Sequence, residues 1–341
     1  MKEKLEIKNL DDLYEAVLCL ETVEECRLFF KDLCTIPELK ALSQRFQVAK
    51  MLTKDHVYSD IVNETGASTA TISRVNRSLS YDGSGGYNIV FDRLDKKEAC
   101  YYDKLTENVD YGKIAARCHE LIKRYSSEHE VVLDLACGTG SLSEALARLD
   151  YDVVGVDLSD QMLEEAMDKR YESGLNIQYL MQDMTELDLY GAVDAVVCVL
   201  DSINHLENEE AVRKTFECVS KFTCDGGLFI FDVNTVYKHR VILADNAFCY
   251  DLDGLFCAWQ NELNDDDSVS IYLDFFEEQE DGSYCRFSED FTERIYTDEF
   301  LSELVKLNDF ELIGKYDGFE DSPVNDKTLR VLYVCRRINR G

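Results

Sequence analysis

The chain has 341 residues, enough for about two domains, and 45% of them are hydrophobic, enough to build real cores. Its formal net charge of −32 argues, for the chain taken as a whole, against a partner bound largely through phosphate neutralisation. Residues 1–95 hold 12 Lys and Arg against 16 Asp and Glu, a net of −4, so residues 96–341 carry the remaining −28. Thirteen cysteines show no C-x-x-C pair, which points to reduced thiols in a cytoplasmic protein and to no metal centre. No apolar run reaches the eighteen residues that cross a bilayer, and the charged start Met1-Lys-Glu lacks an export signal, so no membrane partner is expected.

Taken in chain order, the first elements are helical. The stretch 35–52 opens with Thr35 as a cap and an early Pro37, then repeats apolar residues at Leu42, Phe46, Ala49 and Leu52, which predicts a helix with one buried face. A second helix is expected through Tyr58-Ser-Asp-Ile-Val-Asn-Glu64, a turn at Thr65-Gly-Ala67, and a third helix over 68–79. In that last helix Ile72, Val75 and Leu79 share a face, while Ser68, Thr69, Thr71, Arg74, Asn76 and Arg77 are left to contact DNA. Two short helices joined by a glycine turn, the second polar and basic, fit a helix-turn-helix whose second helix enters the major groove. A helical docking or dimerisation unit with solvated arginines is the other reading of the same surface.

Asn63-Glu-Thr-Gly-Ala-Ser-Thr-Ala-Thr-Ile-Ser-Arg-Val-Asn-Arg77, with the glycine-rich Tyr81-Asp-Gly-Ser-Gly-Gly-Tyr87, resembles the TrpR-like family of YerC/YecD type over nearly all of residues 10–94. The resemblance implies DNA binding as an intertwined homodimer, with Leu13, Leu18, Leu20, Phe29 and Phe30 in the dimer core. Arg74 matches an arginine that shapes the family's corepressor pocket and Arg45 lies near another. The turn between them is one residue shorter, and no tryptophan corepressor is expected.

Glycine-rich residues 80–86 and then Asp95-Lys-Lys-Glu98 mark a boundary, giving an all-α domain at 1–95 and a second domain at 96–341. Beyond it, the apolar run Val131-Val-Leu-Asp-Leu135 breaks into a loop with Gly138 and Gly140. A helix with apolar Leu142, Ala145, Leu146 and Leu149 follows, and a second apolar run returns to end in Asp157. This is a βαβ nucleotide-site pattern: glycines let the backbone approach a ligand, and an acid at the second strand's end can accept from ribose hydroxyls. The loop opens with Asp134 and lacks the third glycine of a dinucleotide site, which disfavours a pyrophosphate and suits a cationic ligand.

Those residues resemble motif I of the class I S-adenosylmethionine-dependent methyltransferases. The likeness continues through Asn176-Ile-Gln-Tyr-Leu-Met-Gln-Asp-Met184, the run 192–205 and Gly226-Gly-Leu-Phe-Ile-Phe-Asp-Val-Asn-Thr235, read as the third, fourth and fifth strands. It implies an α/β doubly wound, Rossmann-like domain that binds S-adenosylmethionine through Asp134, Gly138, Gly140, Asp157, Asp183 and Met184, with Asp183 toward the adenine amino group. Tyr102, in Tyr101-Tyr-Asp-Lys-Leu105, matches a segment that folds over the cofactor in many members. Asn204 and His205 follow the fourth strand and are the candidate catalytic residues, His205 as a base. The Asn/Asp-Pro-Pro-Tyr signature of DNA amino-methyltransferases is missing, so the methyl acceptor stays open among small molecules, proteins and tRNA. Asp194 and Asp232 are expected to be structural or, for Asp232, equally functional.

Alternating patterns at 255–262, 269–276 and 284–287 predict an antiparallel β insert, about 240–296, roofing the pocket. Trp259, Tyr272 and Phe275 are candidates for substrate contact there, although core packing is the commoner role of such aromatics. A helix over 298–307 and strands at Glu311 and Arg330 close the domain. Two functions fit the whole: a methyltransferase acting on an unidentified acceptor with a DNA-binding N-terminal domain, or a transcriptional regulator that senses S-adenosylmethionine without turnover.

Overall fold

The computed structural model describes residues 10–20, 22–53, 56–80, 83–91, 93, 104–106, 108–126, 130–252, 254–279 and 282–338. The chain divides into two compact units, Met1–Leu94 and Asp95–Gly341.

The first unit is helical: α1 (Leu10–Leu18), α2 (Val23–Leu33), α3 (Ile36–Thr53), α4 (Tyr58–Thr65), α5 (Thr69–Ser80) and α6 (86–91). Side chains set the boundaries. Thr22 caps α2 by accepting from the Glu25 N–H, and the Glu38 carboxylate accepts from the Thr35 N–H (2.8 Å) and hydroxyl (2.7 Å) at the start of α3. Gly66, at φ +64°, ends α4. Ser68 opens α5 through Thr71 N–H→Oγ at 3.1 Å. Val48, Ala49, Met51, Ile61, Ala67, Ile72, Val75 and Phe91 form one core, so the periodic positions of α3 and α5 face each other. No residue of α1 or α2 is buried.

The second unit is built on a seven-stranded sheet. Its strands are β1 (Val131–Leu135), β2 (Asp152–Asp157), β3 (Ile177–Met181), β4 (Val193–Cys198), β5 (Thr223–Asn234), β10 (Phe310–Asp317) and β11 (Arg330–Arg337), in the order β10-β11-β5-β4-β1-β2-β3. The first five run parallel, and β11 pairs antiparallel with both β5 and β10. Helices α7 (Tyr111–Tyr125), α8 (Ser141–Ala147), α9 (Asp160–Ser173), α10 (Glu209–Phe222) and α11 (Asp298–Leu307) accompany it. Two apolar cores result, one on each face: one around Phe216, Phe229, Phe231 and Tyr333, the other around Leu121, Val132, Leu146 and Ile230. Helix α8 stops at Ala147, two residues short of Leu149, which still packs on the second core. Strand order reverses at β1, with β2 on one side and β4 on the other, and the carboxyl ends of neighbouring strands at such a switch point open a crevice for a ligand.

Between β5 and α11 the chain makes a four-stranded antiparallel meander: β6 (Ala247–Leu252), β7 (Leu255–Leu263), β8 (Ser268–Glu278) and β9 (Tyr284–Arg294). Its core contains Leu255, Cys257, Val269, Ile271, Leu273 and Phe275. Phe275 stacks on Phe287 at 4.8 Å, and the Trp259 indole N–H donates to Asn261 Oδ1. Tyr272 is exposed. None of the three lines the cavity described next, and Phe275 and Trp259 pack in or against the insert's own core, the commoner of the two roles expected for them.

Candidate cofactor and acceptor site

The loop after β1 is shaped by backbone bonds: Cys137 N–H donates to the Val156 carbonyl and Gly140 N–H to the Cys137 carbonyl, each at 3.0 Å. Its two glycines serve different needs. Gly138, at φ +54°, has no atom within 4 Å of where a Cβ would stand, so its bare edge faces open space. Gly140, at φ +75°, would place a Cβ 2.3 Å from Tyr179 Oη and 2.9 Å from Ala166 Cβ, so this one is glycine because the protein's own side chains fill the space.

Three carboxylates surround that loop. Asp157, at the end of β2, accepts from Gly138 N–H (2.7 Å) on one oxygen and from Ser159 N–H (2.9 Å) on the other. Burial raises its carboxyl against the opposing backbone N–H groups of Ser159, Gly138 and Leu158. Asp183 accepts from Thr185 N–H at 2.7 Å. Asp134 is buried on β1 and accepts from the Ser143 hydroxyl at 2.5 Å; burial pushes it up to about 7, with the Ser143 bonds opposing and the Asp157 charge adding.

Gly138, Asp157, Asp183, Met184, Leu200 and His205 line one cavity of about 640 Å³, within the range of pockets that enclose small cofactors. Asp134 lies in an adjoining recess with Gly138, Thr139, Leu200 and Ser202. The cavity therefore offers a backbone cradle that a side chain at 138 would fill, and acceptors at Asp157 and Asp183. These features fit S-adenosylmethionine. Tyr102, also expected here, lies outside the described residues.

The Asp134 carboxyl makes the pH dependence testable. Raised above its ordinary 3.8, the group keeps its proton in the folded protein while the unfolded chain ionises, so its stabilising contribution is complete below about pH 3.8 and disappears as pH rises through 7. Asp134→Asn removes the penalty at high pH. Calorimetry of the cofactor-free protein is expected to find the variant's melting temperature a few degrees above wild type at pH 8, with the gap closing toward pH 4. A gap independent of pH would contradict titration at Asp134.

The wall beyond β4 is strained. Leu200 and Asp201 stand at φ +61° and +60°, a conformation that costs non-glycine residues energy. Asp232 of β5 holds them there by accepting from Leu200 N–H (2.9 Å) and Asp201 N–H (2.7 Å). The Arg330 guanidinium bridges Asp232 (2.7 Å) and Asp201 (2.8 Å). Burial alone would raise Asp201; Arg330, Lys238 and His205 outweigh it and hold it below the usual carboxylate range. Asp232 is fully buried and structural. Asp194, half-buried, is structural as well: it accepts from Glu130 and Val131 N–H at 2.8 and 2.9 Å.

His205 is exposed, lines the cavity and packs against Phe291 at 5.2 Å. Asn204 does not join it. Its fully buried side chain donates to the Arg294 carbonyl (2.8 Å) and accepts from Asn234 N–H (2.9 Å), tying β5 to β9 behind the cavity; the structure thus corrects its expected catalytic placement. Sequence reasoning missed Ser143, Asp201, Arg330, Lys238, His239 and Glu293. Glu293 shares the inward face of β9 with Phe287 and Phe291, and that two-residue period was the signal available.

In the helical unit, Ser68, Thr69, Arg74 and Arg77 are exposed, while Thr71 and Asn76 are half-buried. Asn76 Nδ2 donates to Tyr58 Oη at 3.0 Å, joining α5 to α4.

A glycine-cradled cavity at the carboxyl ends of β1, β2 and β4, under a seven-stranded sheet whose last strand is reversed, defines a class I methyltransferase. Residues 132–227 match the family described as "Methyltransferase domain" and residues 8–95 the family "Trp repressor protein". "Putative methyltransferase GWCH70_2453" of Geobacillus sp. (strain WCH70) is 30% identical over 241 residues, covering 70% of this chain and 98% of that protein. A crystal structure of an S-adenosylmethionine-dependent methyltransferase from Clostridium acetobutylicum is 35% identical with a TM-score of 0.67, covering 72% of this chain and all of that one. At the other end, YerC of Bacillus subtilis, an uncharacterised protein, is 50% identical over 96 residues, 28% of this chain and 91% of YerC. The chain belongs to the S-adenosylmethionine-dependent methyltransferases and carries a Trp-repressor-type domain at its N-terminal end.

Proposed function

We propose that this enzyme works on DNA-bound complexes: residues 1–95 dock it on DNA as a homodimer, and the second unit methylates an acceptor seated beside His205. One observation carries the catalytic half. His205, on the acceptor side, shares a single cavity with Gly138, Asp157, Asp183 and Met184 on the cofactor side. A sensor that only reports the cofactor needs no such group, which favours turnover over sensing.

S-adenosylmethionine supplies an already activated methyl group, so the residues have chiefly to bind, orient and exclude water. In this reading Asp157 accepts from the ribose hydroxyls, Asp183 and Met184 hold the adenine, and Asp134, Gly138 and Gly140 shape the loop at the amino-acid end. His205 takes a proton from the acceptor. A cytoplasmic location belongs to the same reading, supported by the free thiols among the described cysteines.

The DNA half is supported by the exposed Ser68, Thr69, Arg74 and Arg77 on α5 after a glycine turn, the arrangement of a recognition helix. Dimerisation is supported by the unpartnered apolar residues of α1 and α2, where Leu18 is 84% and Leu28 55% exposed. The test is fluorescence anisotropy on duplexes selected from a random pool by the full chain. Arg74→Ala and Arg77→Ala are each expected to weaken binding, by about 1–3 kcal/mol for a base contact or with a salt slope reduced by about 1 for a phosphate contact. Unchanged affinity in both variants, or a pool that yields no duplex, would remove DNA from the account.

A further inference from the structure

His239 does not line the cofactor cavity, yet its ring is tied into the cavity's wall. It sits in the π-helical turn Lys238–Leu243 that leads from β5 toward the insert, and it is fully buried. Single π turns are rare and concentrate at functional places. The turn closes on Ala244 at φ +28°, a conformation that costs a non-glycine residue energy. Both ring nitrogens face oxygen: Nδ1 lies 3.1 Å from the Thr235 carbonyl and Nε2 lies 3.0 Å from Glu293 Oε2.

Counting hydrogens fixes what these contacts are. A carbonyl oxygen only accepts, so the hydrogen facing Thr235 belongs to Nδ1. A neutral imidazole has one N–H, and that one is then used. Nε2 would be left with a lone pair opposite those of an ionised Glu293. The 3.0 Å contact is therefore a hydrogen bond only with a second hydrogen in it, carried by the ring or by the carboxyl. Either form leaves Oε2 able to accept from Asn234 Nδ2 at 2.8 Å as well. Turning the ring over would set carbons against both oxygens.

That hydrogen has a path to the cofactor. The other Nδ2 hydrogen of Asn234 goes to Asp201 (2.8 Å), and Asn234 Oδ1 accepts from Lys238 Nζ (2.8 Å), so the amide is held on three sides. Asp201 follows Leu200 in the strained turn after β4, and Leu200 lines both the cavity and the recess of Asp134. Glu293 is 3% exposed. If it turns away from a ring lone pair, Asn234 is left with a buried N–H that has no acceptor, a costly state. The charged groups around the pair are Lys238 on the same turn, Asp201 and His205 after β4, Asp232 on β5 and Arg330 on β11. Resting on the assignment of the cavity to S-adenosylmethionine, we propose that His239 is a positioning residue for the cofactor. It acts through one hydrogen shared with Glu293 and relayed by Asn234 and Asp201 to Leu200.

The test combines isothermal titration of the full chain with S-adenosylhomocysteine and proton NMR of the same protein labelled with ¹⁵N-histidine. His239→Leu removes the hydrogen and is expected to weaken binding about tenfold. His239→Gln puts an amide N–H where Nε2 stood and is expected to bind within threefold of wild type. The wild-type spectrum is expected to show a slowly exchanging, far-downfield proton at a histidine ring nitrogen, absent in His239→Gln. At the pH where that signal disappears, wild-type affinity should fall relative to His239→Gln; Asp134 titrates in both proteins, so their difference reports the pair. Absence of the proton, identical pH profiles, or His239→Leu binding as tightly as wild type overturns the role. If His239→Leu does not fold, the proton signal and the His239→Gln profile decide alone. Wild-type protein without affinity for S-adenosylhomocysteine would remove the cavity's assignment and this role with it, whereas intact affinity that ignores His239 removes the role only.

Discussion

Arg330→Met is expected to be the most destabilising single change in the second unit, costing about 3–5 kcal/mol. The guanidinium is largely buried, and burial alone would depress it; the carboxylates of Asp201 and Asp232 raise it instead. Removing it leaves two buried carboxylates facing each other, one of them wholly inaccessible. At roughly 2–4 °C per kcal/mol for a unit of this size, the melting temperature should fall by about 6–20 °C. Arg330→Lys keeps the charge but cannot bridge both acids with one planar fork, so an intermediate loss is expected. Arg336→Met serves as the contrast: its pair with Glu311 is exposed on both sides, and such pairs contribute about 1 kcal/mol or less. Calorimetry of the three variants decides. Arg330→Met no worse than Arg336→Met would mean that the strained turn at Leu200 and Asp201 is held by something else.

The second large effect is on cofactor affinity. Asp157→Ala removes two acceptors for the ribose and frees the N–H groups of Gly138 and Ser159 that the carboxylate now organises. Hydrogen bonds to a charged group are worth about 1.5–3 kcal/mol each, so losing two should weaken S-adenosylmethionine binding by roughly a hundredfold or more. Asp157→Asn keeps the shape and one oxygen, and should lose less. Isothermal titration measures both. An alanine variant that binds within fivefold of wild type would show that the ribose lies elsewhere.

These effects separate what the sequence made legible from what it did not. The cofactor half is local: Asp134, Gly138 and Gly140 sit within seven consecutive residues, Asp157 ends β2 and Asp183 follows β3 by two residues, so period and spacing reveal them before any fold is known. The helix-turn-helix is equally local, its face marked by Ile72 and Val75. The acceptor half is not. Arg330 meets Asp201 across 129 positions and Glu293 meets Asn234 across 59, contacts that exist only once β11 and β9 are in place. Asn204 shows the cost of reading such a place by position alone. It follows β4 where substrate groups commonly stand, yet its amide is spent joining β5 to β9, because Asn234 N–H and the Arg294 carbonyl would otherwise be buried without partners. Trp259 and Phe275 take the core role that alternation favours; alternation identifies an inward face but not whether that face meets a ligand or its own sheet.

The central claim is that the chain transfers methyl groups and does more than bind their donor. Incubating the full chain with S-adenosylmethionine labelled in its methyl group and an extract resolved into protein, nucleic-acid and small-molecule fractions tests this directly. The account predicts label in at least one fraction, lost in Asp157→Ala. Wild-type protein that binds the cofactor tightly while labelling no fraction would contradict it.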